Sequence, residues 1–136
     1  MAIYKVKTKF GTVTGISERE YTLFKGVPYA APPVEDLRLR APVDIQPWQG
    51  EKSCTEWPSP SVQQHREWPP REDAPVFWEG SEDCLYLNIW TPAQTGEEKL
   101  PVVFWIHGGG FFGGSSFDSR FDGAAWSARG VILVTV

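Results

Sequence analysis

The sequence is poor in several features that mark particular classes of protein. Its 136 residues include two cysteines, two histidines and one methionine. The histidines lie far from each other and from either cysteine, so no zinc-ligand spacing is present. No apolar stretch approaches the roughly 20 residues that a transmembrane helix needs. The 13 basic residues are scattered among 17 acidic ones, for a net charge of −4. We therefore expect no metal, no cofactor, no membrane association and no nucleic-acid partner.

A signal for export is also lacking. The N-terminal stretch MAIYKVKTKF alternates charged and apolar residues and has no apolar core of the secretory type. We expect a cytoplasmic location, in which two cysteines are more often free thiols than a disulfide. With 41% hydrophobic and 22% charged residues, the composition is that of a globular protein long enough for one hydrophobic core.

The first half of the chain divides into a β-rich part and a Pro-rich part. Residues 3–29 carry short apolar runs broken at Gly11 and at the polar stretch 17–20, which predicts a small antiparallel β-meander. Most of the twelve prolines lie between residues 28 and 75, where we expect an irregular loop because proline removes a backbone donor. Such loops often wall an active site. Four tryptophans are expected to anchor this loop, with an aromatic substrate cage as the alternative: Trp48, Trp57, Trp68 and Trp78.

The second half of the chain predicts a parallel β-sheet. Residues 84–90 (CLYLNIW) favour a strand, and the continuous apolar run 102–106 favours a strand buried on both faces. A helical pattern over 121–129 and a second apolar strand over 131–136 complete a βαβ unit. A central parallel strand needs neighbours at its edge and helices on both faces. We therefore expect this chain to be an incomplete domain.

The stretch PVVFWIHGGGFFGG, residues 101–114, carries the candidate chemistry. Consecutive glycines after a strand let backbone N–H groups converge on one oxygen without obstruction by side chains. Such donors stabilise the oxyanion that forms when a nucleophile adds to a carbonyl group, and HGGG turns have this role in lipases and esterases. The alternatives are a plain strand-to-helix turn and a phosphate loop. The loop contains no lysine and neither common phosphate-binding glycine pattern.

The chain resembles the N-terminal part of a type-B carboxylesterase, the family that includes cholinesterases and bacterial esterases. Five segments carry the resemblance in the family's order: FKGVPYAAPPVEDLRLRAP (24–42), PWQG (47–50), SEDCLYLNIWTP (81–92), PVVFWIHGGGFFGG (101–114) and GVILVTV (130–136). The resemblance implies an α/β fold in which residues 1–136 form the N-terminal fragment of a single α/β-hydrolase domain. That fragment would comprise the β-meander, the Pro-rich loop and the first strands of a central, mostly parallel sheet.

The same resemblance assigns roles to the glycine turn. The oxyanion hole is implied to consist of the backbone N–H groups of Gly109 and Gly110. His107 and Gly108 are expected to support this loop, and His107 is not expected to be a catalytic base. The family's third donor follows its nucleophilic serine and lies beyond the region matched here.

Four further side chains receive roles from the resemblance. Phe111 and Phe112 would line the acyl or alcohol side of the site, which favours small apolar carboxylic esters as substrates. Arg38 would pair with Glu82 in a buried, structural ion pair that ties the Pro-rich loop to the strand and is costly to break from one side.

The cysteine pattern departs from that of many relatives. In those relatives the counterpart of Cys84 is bridged to a cysteine near the position of Ser61, whereas Cys54 lies seven residues earlier. We expect both thiols to be reduced, with a bridge allowed by slack in the loop as the alternative.

No G-x-S-x-G motif occurs in the 136 residues. The family's serine nucleophile, its acidic partner and its catalytic histidine all lie downstream of the matched region. We expect the isolated chain to be inactive, because an oxyanion hole without its triad gives only residual catalysis. One alternative is half of a split esterase that needs a complementing C-terminal chain, and another is a non-catalytic binding relative of the family.

Overall fold

A computed structural model describes residues 2–65 and 77–136. Within these residues the chain forms ten short β-strands in three sheets and one short α-helix. The first sheet has the order β1-β2-β5 and the smallest has the pair β6-β7. Their strands are β1 (Lys5–Lys7), β2 (Thr12–Thr14), β5 (Glu51–Ser53), β6 (Gln63–His65) and β7 (Phe77–Glu79).

The largest sheet has five strands in the order β3-β4-β8-β10-β9. Pairs along it are antiparallel except for the last, in which β10 runs parallel to β9. The connection between these two parallel strands contains the helix α1, because parallel strands need a crossover rather than a tight turn. The strands and the helix are β3 (Ile16–Ser17), β4 (Thr22–Pro28), β8 (Tyr86–Thr91), β9 (Val102–Trp105), α1 (Ala124–Ser127) and β10 (Ile132–Thr135).

The β-rich N-terminal region differs from a single meander. It contains two antiparallel pairs, β1 with β2 and β3 with β4, which belong to different sheets. The Pro-rich region contributes more than loop: after the 3-10 turn Glu35–Leu37, its strand β5 pairs with β2 in parallel. The pairing of β2 with β5 joins segments far apart in the sequence and leaves no local pattern. The local pattern therefore predicts one meander where the structure has the first strands of two sheets.

The core lies on both faces of the large sheet. On one face, Phe24 packs with Val13 and Cys54, and Trp48 closes this cluster from the Pro-rich region. Trp48 also donates a hydrogen bond from its indole N–H to the carbonyl oxygen of Thr12 at 3.0 Å. Thus the predicted anchoring role holds for Trp48.

On the other face, Leu23, Trp90 and Leu133 pack together. The ring of Trp57 lies against Trp90 with 5.9 Å between centroids, so this tryptophan is also an anchor. Trp78 is 65% exposed and does not anchor the loop by burial. Trp68 lies outside the described residues.

Strand β9 is not buried on both faces, contrary to the expectation for residues 102–106. Val102, Phe104 and Ile106 are more than half exposed. The reason is topological: β9 stands at the edge of the sheet, and α1 packs on β10 and β8. Its apolar composition therefore marks an uncovered face in the described part of the chain.

The predicted helix over 121–129 is much shorter in the structure. A 3-10 turn, Ser119–Phe121, precedes α1, and α1 covers only four residues. Gly123 precedes α1 and lies directly against the ring of Trp90, while Gly130 adopts a φ of 76° after it. These two glycines delimit the turn of helix between the sheet strands. Within the described residues, no helix is long and apolar enough to cross a membrane.

Candidate active site

The glycine loop, residues 107–114, leaves the sheet where β9 ends. The backbone N–H of His107 donates to the carbonyl oxygen of Val136 at 3.3 Å, which ties the start of the loop to the residue after β10. The His107 ring nitrogen Nδ1 lies 2.7 Å from the carbonyl oxygen of Gly108. His107 thus contacts the loop's own backbone, and its supporting role stays a prediction.

The backbone of the glycine loop turns through three successive residues with positive φ. The values are 140° at Gly109, 60° at Gly110 and 63° at Phe111. The turn is closed by a hydrogen bond from the N–H of Phe112 to the carbonyl oxygen of Gly109 at 3.0 Å. A side chain at Gly109 would overlap the carbonyl oxygen of Gly113. Glycine is therefore required there by both conformation and space.

The N–H groups of Gly109 and Gly110 have no hydrogen-bond acceptor among the described residues. Both glycines line an open cavity of about 530 Å³ at the end of the sheet. The structure therefore brings together the two glycines predicted to form the oxyanion hole and leaves their donors unused. Their role as donors to a substrate oxygen stays a prediction.

Phe111 and Phe112 project from the same loop. Both side chains are almost fully exposed in the described chain. They line a second cavity of about 710 Å³, whose wall also includes Val62 and Trp78. This placement is compatible with an apolar rim around a substrate, and the substrate-binding role of the two rings stays a prediction.

Gln63 holds the far end of the glycine loop, and nothing in the local sequence marks it. Its side chain is 8% exposed. Its Oε1 accepts from the N–H of Gly114 at 2.6 Å, and its Nε2 donates to the carbonyl oxygen of Gly114 at 3.0 Å. A side chain at Gly113 would overlap Oε1. Because Gly113 and Gly114 lie about 50 residues further along the chain, only the folded structure identifies Gln63 as their partner.

Asn88 on β8 connects the exit of the glycine loop to the sheet. The side chain is fully buried. Its Oδ1 accepts from the N–H of Gly26 at 3.0 Å, and its Nδ2 donates to the Oγ and the carbonyl oxygen of Ser116 at 3.0 and 3.3 Å. A further contact joins Nδ2 to the Oγ1 of Thr135 at 3.2 Å. One amide thus links β4, β8, β10 and the segment that follows the loop.

Arg38 and Glu82 form a side-chain ion pair that joins the Pro-rich region to the segment before β8. The predicted burial of this pair is wrong, because the two side chains are 61% and 39% exposed. Water solvates both charges at this position. A solvated ion pair contributes little to stability, so the large cost expected for breaking it does not apply.

Cys54 and Cys84 are both free thiols in the structure. Cys54 is buried in the core, and Cys84 is half-buried before β8. Burial raises the pKa of both thiols. The negative charges of Asp83 and Glu82 raise the pKa of Cys84 further.

These environments predict the reactivity of the two thiols. At pH 7 both should be protonated, and alkylation of Cys84 should be slow and should accelerate as the pH rises through its elevated pKa. Cys54 should react only after unfolding. Thiol titration without reductant should count two thiols per chain in denaturant and, at most, one in the native protein at pH 8. A count of zero in denaturant would show a disulfide instead.

Among the described residues, no group of three or more histidine, cysteine, aspartate or glutamate side chains could hold a metal ion.

Comparisons with known proteins agree on one family. The family model described as "Carboxylesterase family" matches residues 3–136. The chain is 42% identical over 128 residues to the fumonisin B1 esterase of Sphingopyxis macrogoltabida, covering 94% of this chain and 23% of that protein. It is 36% identical over 135 residues to the para-nitrobenzyl esterase of Bacillus subtilis, covering 95% of this chain and 26% of that protein.

A solved structure shows the same fold. A carboxylesterase of Geobacillus stearothermophilus superposes with a TM-score of 0.81 at 37% identity, over 98% of this chain and 26% of that one. The chain thus spans about a quarter of the length of the relatives it matches. Its sheets correspond to part of an α/β-hydrolase fold, and the chain belongs to the carboxylesterase family.

Proposed function

We propose that this chain supplies the oxyanion-hole segment of a serine carboxylic-ester hydrolase. The observation that supports this function best is the pair of N–H groups of Gly109 and Gly110, which have no acceptor among the described residues and belong to a loop that lines an open cavity and requires glycine at position 109. In ester cleavage the carbonyl oxygen becomes negatively charged as the nucleophile adds. Two preorganised donors stabilise that charge more than they stabilise the neutral ester, which lowers the barrier.

The reaction we propose has two stages. A serine attacks the ester carbonyl and forms an acyl-enzyme with release of the alcohol, and water then releases the acid. The 136 residues contain no G-x-S-x-G motif, so we propose that the chain by itself is inactive. The aromatic rings of Phe111 and Phe112, which line the cavity of about 710 Å³, favour small apolar esters as substrates. The free thiols support a cytoplasmic location.

A split enzyme is the second candidate. The observation that favours it is the apolar edge strand β9, in which Val102 and Phe104 are more than half exposed, as is Ile106 directly after it. An unpaired edge of this kind accepts a further strand through backbone hydrogen bonds. A separate chain with the serine motif could therefore complete the sheet and the triad.

The function is tested by comparing two preparations with p-nitrophenyl acetate as substrate. One is the isolated 136-residue chain, and the other is the product of the native gene, whose intact mass is measured. We expect the isolated chain to show no turnover that a serine-directed reagent can titrate. We expect the product of the native gene to hydrolyse the ester and to be blocked by a fluorophosphonate. Titratable turnover by the 136-residue chain would overturn the inactivity proposal. A native product that neither hydrolyses esters nor reacts with the fluorophosphonate would instead indicate a non-catalytic relative.

The split candidate makes a different prediction for the same preparation. A native product of about 15.3 kDa that is active only with a co-purifying G-x-S-x-G protein would establish it. A single larger polypeptide with the motif in the same chain would exclude it.

A further inference from the structure

We propose that Gln63 is a positioning residue that holds the glycine loop in the geometry of an oxyanion hole. This inference rests on the proposed function and adds a residue outside the HGGG turn. Gln63 lies on β6, which pairs only with β7 in the described residues. It reaches the loop across 51 positions of sequence. The contact therefore joins the small sheet to the candidate site.

The amide of Gln63 is fully committed to backbone partners. Its Oε1 accepts from the N–H of Gly114 at 2.6 Å, and its Nε2 donates to the carbonyl oxygens of Gly114 and Ser61 at 3.0 and 3.1 Å. Two carbonyl acceptors and one N–H donor fix which end of the amide carries the nitrogen. A carboxylate of the same shape would satisfy the N–H and would place an oxygen against both carbonyl oxygens.

The position of residue 114 is transmitted to the oxyanion donors through the backbone. Gly113 packs so closely that a side chain on it would overlap Oε1 of Gln63. The carbonyl oxygen of Gly113, in turn, occupies the space that a side chain on Gly109 would need. Gln63, Gly113 and Gly109 thus form a continuous series of close contacts. A shift of the Gln63 amide is therefore expected to move Gly109, one of the two glycines that line the cavity.

The size of the expected effect follows from the geometry that transition-state stabilisation requires. Catalytic groups must be held within about 0.5 Å of their productive positions, and a displacement of about 1 Å can reduce the rate roughly 100-fold. Oxyanion donors act on the charge that develops in the transition state. Their displacement should therefore lower kcat and leave KM nearly unchanged.

The test uses the native gene product with Gln63→Ala and Gln63→Glu. We expect kcat for p-nitrophenyl acetate to fall roughly 10- to 100-fold in both variants with KM within about threefold of wild type. The Gln63→Glu variant keeps the volume, so its loss reports the hydrogen-bond pattern and not the space filled. Gln94, exposed in the turn after β8, gives matched controls: Gln94→Ala and Gln94→Glu should retain wild-type kcat. An unchanged kcat in Gln63→Glu, or a loss confined to KM, would overturn the positioning role.

Amide hydrogen exchange provides a readout that does not depend on activity. In wild type, the hydrogen bond to Gln63 protects the N–H of Gly114 from exchange. The amides of a peptide covering residues 107–116 should therefore exchange faster in both Gln63 variants, and their exchange rate should be unchanged in the Gln94 variants. Unchanged exchange in the Gln63 variants would also overturn the role. A wild-type protein that shows the protection but no esterase turnover would count against the proposed function and leave the loop-holding contact established.

Discussion

Replacing Gly109 by alanine is expected to reduce kcat/KM for p-nitrophenyl acetate by about 100-fold or more in the native gene product. The new methyl group would overlap the carbonyl oxygen of Gly113, and alanine disfavours the φ of 140° found here. Relief of the overlap must move either residue, and both belong to the loop that presents the oxyanion donors. The measurement is steady-state kinetics on variants whose circular dichroism matches wild type.

Alanine substitutions at two other glycines serve as controls that distinguish this steric effect from a general sensitivity of the protein to substitution. A side chain at Gly96 or at Gly108 would meet no atom within 4 Å. Gly96 lies in an exposed turn, and Gly96→Ala should retain full activity. Gly108→Ala changes the HGGG turn itself and should cost far less than Gly109→Ala. Equal losses of kcat/KM in Gly108→Ala and Gly109→Ala would show that steric overlap at residue 109 does not cause the loss.

Replacing Asn88 is expected to give the largest loss of stability. Asn88→Ala would remove the acceptor for the part-buried N–H of Gly26 and the donor for the buried Ser116 and Thr135. Leaving buried backbone and hydroxyl groups unpaired costs about 1–3 kcal/mol each, so we expect the free energy of unfolding to fall by about 3 kcal/mol or more. Denaturant unfolding of the native gene product measures this.

The Asn88→Asp variant sharpens the test, because it keeps the shape and the acceptor for Gly26. Its second carboxylate oxygen would face the carbonyl oxygen of Ser116, and a buried charge without a partner is strongly unfavourable. Thr22 on the neighbouring strand is the control. Its hydroxyl is buried without a hydrogen-bond partner among the described residues. Thr22→Val should be neutral or stabilising, and a greater loss there than in Asn88→Asp would refute this account.

Local sequence patterns were sufficient for the parts of the fold that depend on neighbouring residues. The strands β8 and β10 follow from their apolar, β-forming composition, and the turn after β9 follows from its run of glycines. The family resemblance, confirmed by the family model and the structural match, placed these pieces in an α/β-hydrolase fold. The oxyanion role of Gly109 and Gly110 stays a prediction of that resemblance.

Other features depend on partners far along the chain and could not be predicted locally. The strand β5 forms inside a Pro-rich region because β2 offers it an edge. Gln63 and Asn88 act through hydrogen bonds to residues 51 and 28 positions away. The exposure of β9 was missed for a related reason: apolar sequence indicates a preference for burial, and the surroundings decide whether a face is covered.

The sequence separation between Gln63 and Gly114 also determines when their hydrogen bonds can form during translation. The two residues are 51 positions apart, and a ribosome adds that length in roughly 3–10 s at 5–20 residues per second. During this interval the Gln63 amide lacks both of its Gly114 partners. The last hydrogen bonds of the glycine loop then form only after Gly114 has been translated, so a translational pause in this interval delays the maturation of the site.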